Sequence, residues 1–168
     1  FIIQTRKAHM FITGPSVIKQ VTGEDTTADA LGGADTHQAI SGVNHFVADD
    51  DEQAILIAQK LISFLPQNNT EDPPIVDPDP YVEHDPSIYD IVPTDGNKGY
   101  DVRDVIRRLV DHGDFLEVQA GYAMNLVKGF GRINGRTVGF VANQPSVMAG
   151  VLDINASDKG AQFVRFCN

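Results

Sequence analysis

The sequence contains one cysteine, few basic residues and no long apolar run. Because Cys167 is alone, the chain can form neither an internal disulfide nor a cysteine-based zinc ribbon, which favours a reducing compartment. With 13 Lys and Arg against 23 Asp and Glu, the net charge of −10 argues against nucleic acid, which requires clustered cations. No apolar run reaches the roughly 18 residues of a membrane span, so direct membrane insertion is not expected.

Familiar catalytic and metal motifs are also missing. No Ser-His-Asp or Cys-His set can be assembled, and the glycines at 129 and 131 are too close together for a dinucleotide fingerprint. His37 and His45 have no other good ligand between them, which favours structural histidines over a metal site. The acidic run 49–52 lacks the spacing of a calcium loop and is expected to begin a helix.

Glycine and proline instead recur beside predicted helix starts. They occur at Gly14-Pro15, at Gly32-Gly33 and in the loop that runs from Asn143-Gln144-Pro145 to Gly150. Such positions suit an enzyme that stabilises developing negative charge with main-chain N–H groups. They also suit a chain that turns often, and two adjacent glycines can serve a close approach either to a ligand or to other backbone.

Residues 125–168 are typical of a strand, a turn, a second strand, a loop and a helix. Apolar residues alternate on both sides of Asn134-Gly135, a pair that favours a type I′ hairpin turn. After the loop, Ser157-Asp158 is predicted to cap a helix with an apolar face made of three residues, Ala161, Val164 and Cys167.

The first 65 residues predict short elements. A strand is expected at 8–12, then a helix that is entered at Pro15 and stopped near Gly23, and then a second helical piece at 24–30. A longer helix follows the acidic run at 49–52, with a stripe of apolar residues at Ala54, Ile57, Ala58, Leu61, Ile62 and Leu65.

The segment Pro66 to Asp95 divides the chain. It holds seven of the nine prolines and eight acidic residues but no Lys or Arg, so it is predicted to be an extended linker between two lobes. Beyond it, Asp101 is predicted to cap a helix that ends before Gly113, and a strand is expected at 115–118. The arginines of that helix, Arg103, Arg107 and Arg108, are expected to lie on a solvated face.

Both ends of the chain are apolar, which predicts a piece of a longer protein. Four blocks carry a family resemblance: MFITGPSVIKQVTGED, LGGADTHQAISGVNHFVADDDEQA, YDIVPTDGNKGYDVRDVI and GRINGRTVGFVANQPSVMAGVLDINASDKGAQFVRFC. In this order they resemble the carboxyltransferase (β) subunit of biotin-dependent acyl-CoA carboxylases. That family includes subunits of propionyl-CoA carboxylases, methylmalonyl-CoA transcarboxylases and sodium-pumping methylmalonyl-CoA decarboxylases.

The resemblance implies an α/β, crotonase-like fold built from a superhelix of ββα units. Residues 1–67 would be the C-terminal part of one crotonase-like domain, 68–97 a Pro/Asp-rich linker and 98–168 the N-terminal part of a second domain. The implied site-lining residues are Gly14, Pro15, Gly32, Gly33, Ala34, His37, Asn143, Gln144 and Pro145. The family's catalytic oxyanion glycines would lie outside this chain, so no catalytic residue is assigned.

The implied reaction moves a carboxyl group between carboxybiotin and a short-chain acyl-CoA, of the propionyl-CoA to methylmalonyl-CoA type. Biotin would be the cofactor, carried by a biotin carboxyl carrier, with biotin carboxylase as a further partner and a homo-oligomer, a hexamer in the family, as the assembly. The resemblance leaves open the α subunit of a sodium-pump decarboxylase, and the residues alone also allow a non-catalytic acidic interaction module. Bacterial cytoplasm is favoured over mitochondrial matrix.

Overall fold

The structure, a computed structural model, describes residues 1–80 and 86–168. By their contacts these residues form two compact units. The first unit is Phe1–Gln59 with Gln119–Tyr122, and the second is Lys60–Val118 with Ala123–Asn168. The described part of the predicted linker belongs to the second unit, and its residues 81–85 lie outside the described residues. The predicted domain limits at 67 and 98 stay a prediction.

A short parallel sheet organises the first unit. Strand β1 (Ile3–Thr5) pairs with β2 (Phe46–Ala48), with Ile3 opposite Phe46. The predicted strand at 8–12 is wrong. Ala8 turns back onto the Thr5 carbonyl and the Met10 N–H bonds the Gly32 carbonyl, which lies at the end of a helix. Residue Ile12, which follows, is fully exposed and has no sheet to pack on.

The helices of the first unit follow their local signals closely. Helix α1 (Pro15–Thr22) has Pro15 at its first turn and ends at Gly23 with a φ of 79°, which confirms the prediction. Helix α2 (Ala28–Gly32) begins later than predicted because the Thr27 hydroxyl caps it by accepting the Ala30 N–H. Helix α3 (Ala34–Thr36) continues into a π-helical turn, His37–Ser41, and α4 (Asp51–Ile62) starts beside the acidic run as predicted.

The predicted hairpin forms the centre of the second unit. Strands β4 (Leu126–Ile133) and β5 (Arg136–Asn143) are antiparallel, and β3 (Leu116–Glu117) adds to β4. Asn134 and Gly135 have φ of 52° and 76°, as a type I′ turn requires. The Asp111 carboxylate accepts both of their N–H groups at 3.2 and 2.7 Å, which fixes the turn.

Helices cover both faces of this hairpin. On one face, helix α6 (Val102–Leu109) packs Ile106 against Val127, with Asp101 as its N-cap as predicted. On the other face, the ring of Phe130 lies 4.9 Å from that of Phe163 in helix α7 (Ile154–Cys167). A four-residue helix, α5 (Ile88–Ile91), lies in the predicted linker.

Two sequence predictions about α7 are wrong. Its N-cap is Asp153, whose carboxylate accepts the Ala156 N–H at 2.8 Å and also the Asn125 Nδ2 group at 3.3 Å. The face toward the hairpin carries Ala156, Lys159, Gly160 and Phe163. The predicted apolar face, at Ala161, Val164 and Cys167, is exposed instead. A lysine in the packed face hid the true periodicity.

Arg103 also differs from the prediction. Its guanidinium makes a two-pronged ion pair with Glu117, at 2.7 and 2.9 Å, and is mostly shielded from solvent. The pair links α6 to β3, so this arginine holds the unit together, whereas Arg107 lies on the solvated face that was predicted. The linker is held as well, since the Val76 N–H bonds the Gly135 carbonyl at 3.1 Å.

Two buried lysines connect α7 to β4. Lys128 donates from Nζ to the Lys159 carbonyl at 3.0 Å, and Lys159 donates from Nζ to the Leu126 carbonyl at 2.6 Å. Each residue is 1% exposed. Because burial disfavours an ammonium ion, it lowers the pKa of both Lys128 and Lys159 to about 8.

This pKa shift predicts a measurable pH dependence of stability. An unfolded lysine titrates near a pKa of roughly 10.4, so between pH 8 and that value the unfolded chain binds more protons and stability rises with pH. We expect the stability of the wild type, measured relative to Lys128→Met by chemical denaturation, to increase by on the order of 2 kcal/mol across this window. Lys98→Met, which removes an exposed amine, is the control, and parallel pH curves for all three proteins would contradict the assignment.

Candidate functional site

The corner at Gly14-Pro15 begins α1 in the first unit. Gly14 is the N-cap in an extended conformation, and its carbonyl accepts the N–H groups of Val17 and Ile18 at 3.1 and 3.2 Å. Both Gly14 and Pro15 are half-buried. A Cβ built at Gly14 would meet only the Phe11 ring, at 3.6 Å, so the space beside this glycine is open to a side chain.

The Gly32-Gly33 pair has a different environment. A Cβ at Gly32 would overlap the Met10 carbonyl oxygen and lie 2.8 Å from its carbon, and one at Gly33 would lie 2.7 Å from the Asp29 oxygen. Ala34, the next residue, is also buried. Of the two readings of adjacent glycines, close approach to the chain's own backbone accounts for both positions.

His37 is hydrogen-bonded to the segment of chain that precedes the Gly14-Pro15 corner. Its Nε2 lies 2.7 Å from the Met10 carbonyl oxygen, which can only accept, so Nε2 carries the proton and donates. Its Nδ1 then accepts from the Ser41 hydroxyl, also at 2.7 Å. With both nitrogens engaged, His37 is a positioning group. In the part of the chain that the structure describes, no three metal-ligating side chains come together.

Sequence reasoning missed two buried amides that complete this arrangement. Gln4 donates from Nε2 to the carbonyls of Ala8 and Gly32, at 2.9 and 3.0 Å. Asn44 donates from Nδ2 to Gln4 Oε1 at 3.2 Å and to the Ala34 carbonyl at 2.8 Å. A glutamine directly after the apolar opening Phe1-Ile2-Ile3 was the available signal. Together with His37, these side chains fix the main chain around Gly32.

The second unit contains the other predicted group, Asn143-Gln144-Pro145. Gln144 is completely buried, and its amide is used twice at the start of α6: Oε1 accepts the Val102 N–H at 3.1 Å and Nε2 donates to Asp101 Oδ1 at 2.7 Å. Asn143 donates from Nδ2 to the Gly150 carbonyl at 2.6 Å, while Pro145 is half-buried. The predicted residues are therefore adjacent, but Gln144 faces inward.

A strained loop follows these residues. Met148, Ala149 and Gly150 have φ of 50°, 52° and 72°, so three successive residues are left-handed and two of them carry a Cβ. Left-handed backbone costs roughly 1–2 kcal/mol for a residue with a Cβ. The side chains of Met148 and Val151 are 62% and 61% exposed. Strain beside an exposed apolar surface is typical of a functional segment.

The carboxylate of Asp101, which lies beside Gln144, has a pKa shifted by its neighbours. Burial alone would raise the pKa of Asp101, but the Gln144 amide, the Arg103 N–H and the Arg103 charge together hold that pKa below its ordinary value. Asp101 therefore stays ionised and accepts hydrogen bonds at neutral pH. Its observed role is to cap α6, where it accepts the Arg103 N–H at 2.9 Å.

Comparison with known proteins identifies the family. The carboxyl transferase domain family matches residues 1–168, and the chain belongs to that family. It is 68% identical, over its whole length, to 32% of the methylmalonyl-CoA carboxyltransferase 12S subunit of Propionibacterium freudenreichii subsp. shermanii. It is 55% identical, over 96% of its length, to 31% of the propionyl-CoA carboxylase carboxyltransferase subunit of Haloferax mediterranei. The chain spans about a third of the length of these relatives.

A solved structure agrees with the sequence relatives. The crystal structure of a transcarboxylase 12S hexamer, with methylmalonyl-coenzyme A and methylmalonic acid bound, superposes with a TM-score of 0.97 and is 69% identical. The match covers 99% of this chain and 32% of that one. The α/β, crotonase-like carboxyltransferase fold expected from the sequence is therefore confirmed. That the nine predicted residues line a site stays a prediction.

The two glycine environments make a direct test possible. Gly32→Ala forces a Cβ into the Met10 backbone, so we expect the free energy of unfolding to fall by roughly 1–3 kcal/mol or more. Gly14→Ala adds the same methyl group at ordinary contact distance from Phe11 and is expected to change stability by less than about 1 kcal/mol. Thermal and urea denaturation of both variants would measure the difference. Equal losses would show that close backbone approach is not the reason for Gly32.

Proposed function

We propose that this chain is part of a biotin-dependent carboxyltransferase that moves a carboxyl group between carboxybiotin and a short-chain acyl-CoA. The observation that carries the proposal is the 68% identity over the whole chain to a methylmalonyl-CoA carboxyltransferase subunit. A propionyl-CoA carboxylase subunit is 55% identical, whereas a methylmalonyl-CoA decarboxylase α subunit is 51% identical, and this order favours the carboxyltransferase over a sodium-pump decarboxylase. A non-catalytic interaction module has no support from a family match that covers every residue.

The chemistry sets a limit on what this chain contributes. An acyl-CoA enolate and the biotin ureido oxygen both need preorganised N–H donors. Among the described residues, the polar side chains at the predicted positions are engaged internally: His37 with Met10 and Ser41, and Gln144 with Asp101 and Val102. These residues do not make a biotin or enolate site by themselves. We therefore assign them no catalytic step.

The predicted site residues fall into two roles under this proposal. Gly14, Pro15, Asn143 and Pro145 are exposed or half-buried and are proposed to line the site directly. The buried positions are proposed to shape it through the backbone they hold, namely Gly32, Gly33, Ala34 and Gln144, with the half-buried His37 acting in the same way.

Partners and location follow from the same reaction. A biotin carboxyl carrier and a biotin carboxylase, or their equivalents, would supply carboxybiotin, and the subunit would act as a homo-oligomer, as the crystallised 12S relative does in its hexamer. Across residues 1–80 and 86–168, no helix combines the length and the apolar character that crossing a bilayer would take. The bacterial cytoplasm is the proposed compartment, with the mitochondrial matrix as the alternative.

A carboxyl-exchange assay tests the proposal. The full-length subunit that contains this chain is expected to transfer the carboxyl group of methylmalonyl-CoA or malonyl-CoA to free biotin. The assay would monitor the conversion of methylmalonyl-CoA to propionyl-CoA, or of malonyl-CoA to acetyl-CoA, or the transfer of a labelled carboxyl group. The isolated 168 residues are expected neither to catalyse this exchange nor to bind acyl-CoA tightly. Absence of exchange in the full-length subunit would overturn the proposed reaction. Micromolar acyl-CoA binding by the isolated chain, measured by calorimetry, would contradict the expectation that these 168 residues do not bind acyl-CoA tightly by themselves.

A further inference from the structure

We propose that Gln144 is a positioning residue for carboxyl transfer: from inside the second unit it holds the loop 145–153 in the one strained conformation that the site uses. This inference rests on the proposed function. It differs from the prediction that Gln144 lines the site, because a residue with no exposed surface cannot contact a ligand.

Four hydrogen bonds of Gln144 connect the loop to the rest of the unit. Its side chain bonds the Val102 N–H and the Asp101 carboxylate at the start of α6. Its main-chain N–H donates to the Asn125 carbonyl at 2.9 Å, just before β4, and its carbonyl accepts the Val147 N–H at 3.0 Å. One residue therefore joins the helix start, the strand start and the first turn of the loop.

The far end of the loop is anchored separately. Asn143 bonds the Gly150 carbonyl at 2.6 Å, and Asn125 donates from Nδ2 to the Val151 carbonyl at 2.8 Å. Between Gln144 and these anchors lie the left-handed Met148 and Ala149, both of which are exposed. Strain of this kind persists only where the surroundings over-determine the backbone. Gln144 supplies the anchor on the entry side.

The chemistry of the anchor requires an amide. At neutral pH the group must accept from Val102 N–H and also donate to an ionised Asp101, and a carboxamide does both at once. A glutamate has the same shape, but when ionised it only accepts and it repels Asp101. A protonated glutamate carries an O–H and can again do both. The substitution Gln144→Glu therefore converts the anchor into one that depends on pH.

The experiment uses the full-length carboxyltransferase in the exchange assay between methylmalonyl-CoA and free biotin. For Gln144→Glu we expect kcat at pH 8 to fall about 10- to 100-fold with KM for the acyl-CoA little changed, since a misplaced loop costs rate more than binding. The activity relative to wild type should recover toward pH 6 as the new carboxyl group takes up a proton. Gln144→Leu, which cannot be protonated, should show the loss without the recovery.

A matched control separates positioning from stability. Ile106→Val removes one methylene from the α6 core beside the same strands and should lower the melting temperature while leaving kcat at the wild-type value. Hydrogen exchange of the 145–153 amides provides a readout that needs no activity, and it should quicken in Gln144→Glu at pH 8 but not in Ile106→Val.

The outcomes distinguish this inference from the proposed function. Wild-type kcat in Gln144→Leu would overturn the positioning role, and so would a loss of kcat in Ile106→Val as large as that in Gln144→Leu at the same fall in melting temperature. A loss of kcat in Gln144→Glu that does not recover at low pH would also count against it. If the wild-type subunit shows no exchange at all, the proposed function fails, and unchanged hydrogen exchange in the loop would then overturn the anchoring role as well.

Discussion

Buried main-chain groups must find hydrogen-bond partners, and this chain provides several of those partners from buried side chains. In the first unit, Gln4 and Asn44 donate to carbonyls of the turns around Gly32. In the second unit, Lys128 and Lys159 donate to carbonyls of α7 and β4. Neutral amides are inexpensive to bury for this purpose, whereas the two ammonium groups carry a desolvation cost that appears in their lowered pKa values.

This use of side chains accounts for the lack of a recognisable catalytic set. The polar side chains at the predicted site positions, such as His37 and Gln144, are hydrogen-bonded to main-chain groups. They therefore fix the path of the chain, and we assign them no catalytic step. That arrangement suits a reaction in which the donors are main-chain N–H groups, because such donors are effective only when their backbone is held rigidly. The left-handed turn at Met148 and Ala149 is anchored by hydrogen bonds of Gln144 on one side and of Asn125 on the other.

The features that the sequence predicts well are those with local causes. Asn134-Gly135 determines its turn, Pro15 and Gly23 bound α1, and Asp101 caps α6, all through contacts a few residues apart. The wrong predictions depend on distant partners. The face of α7 was missed because Lys159 packs against carbonyls of β4, and Arg103 was assigned to solvent because its partner Glu117 is fourteen residues away. The inward-facing amide of Gln144 could not be predicted either, because nothing nearby in sequence reveals that it bonds the start of a helix that begins 42 residues earlier.

The glycines show why a motif resemblance and a contact with substrate are separate claims. Gly14 and Gly32 both belong to blocks that resemble the carboxyltransferases, yet only Gly14 has open space beside its Cα, while Gly32 is pressed against Met10. A glycine that its own backbone requires says nothing about a ligand, since the same restriction would hold in a protein that bound none. Backbone strain is the better guide, because Met148 and Ala149 are exposed and no core packing accounts for their left-handed backbone. By this reasoning the loop after Gln144 carries more support as a proposed ligand contact than the glycine pair does.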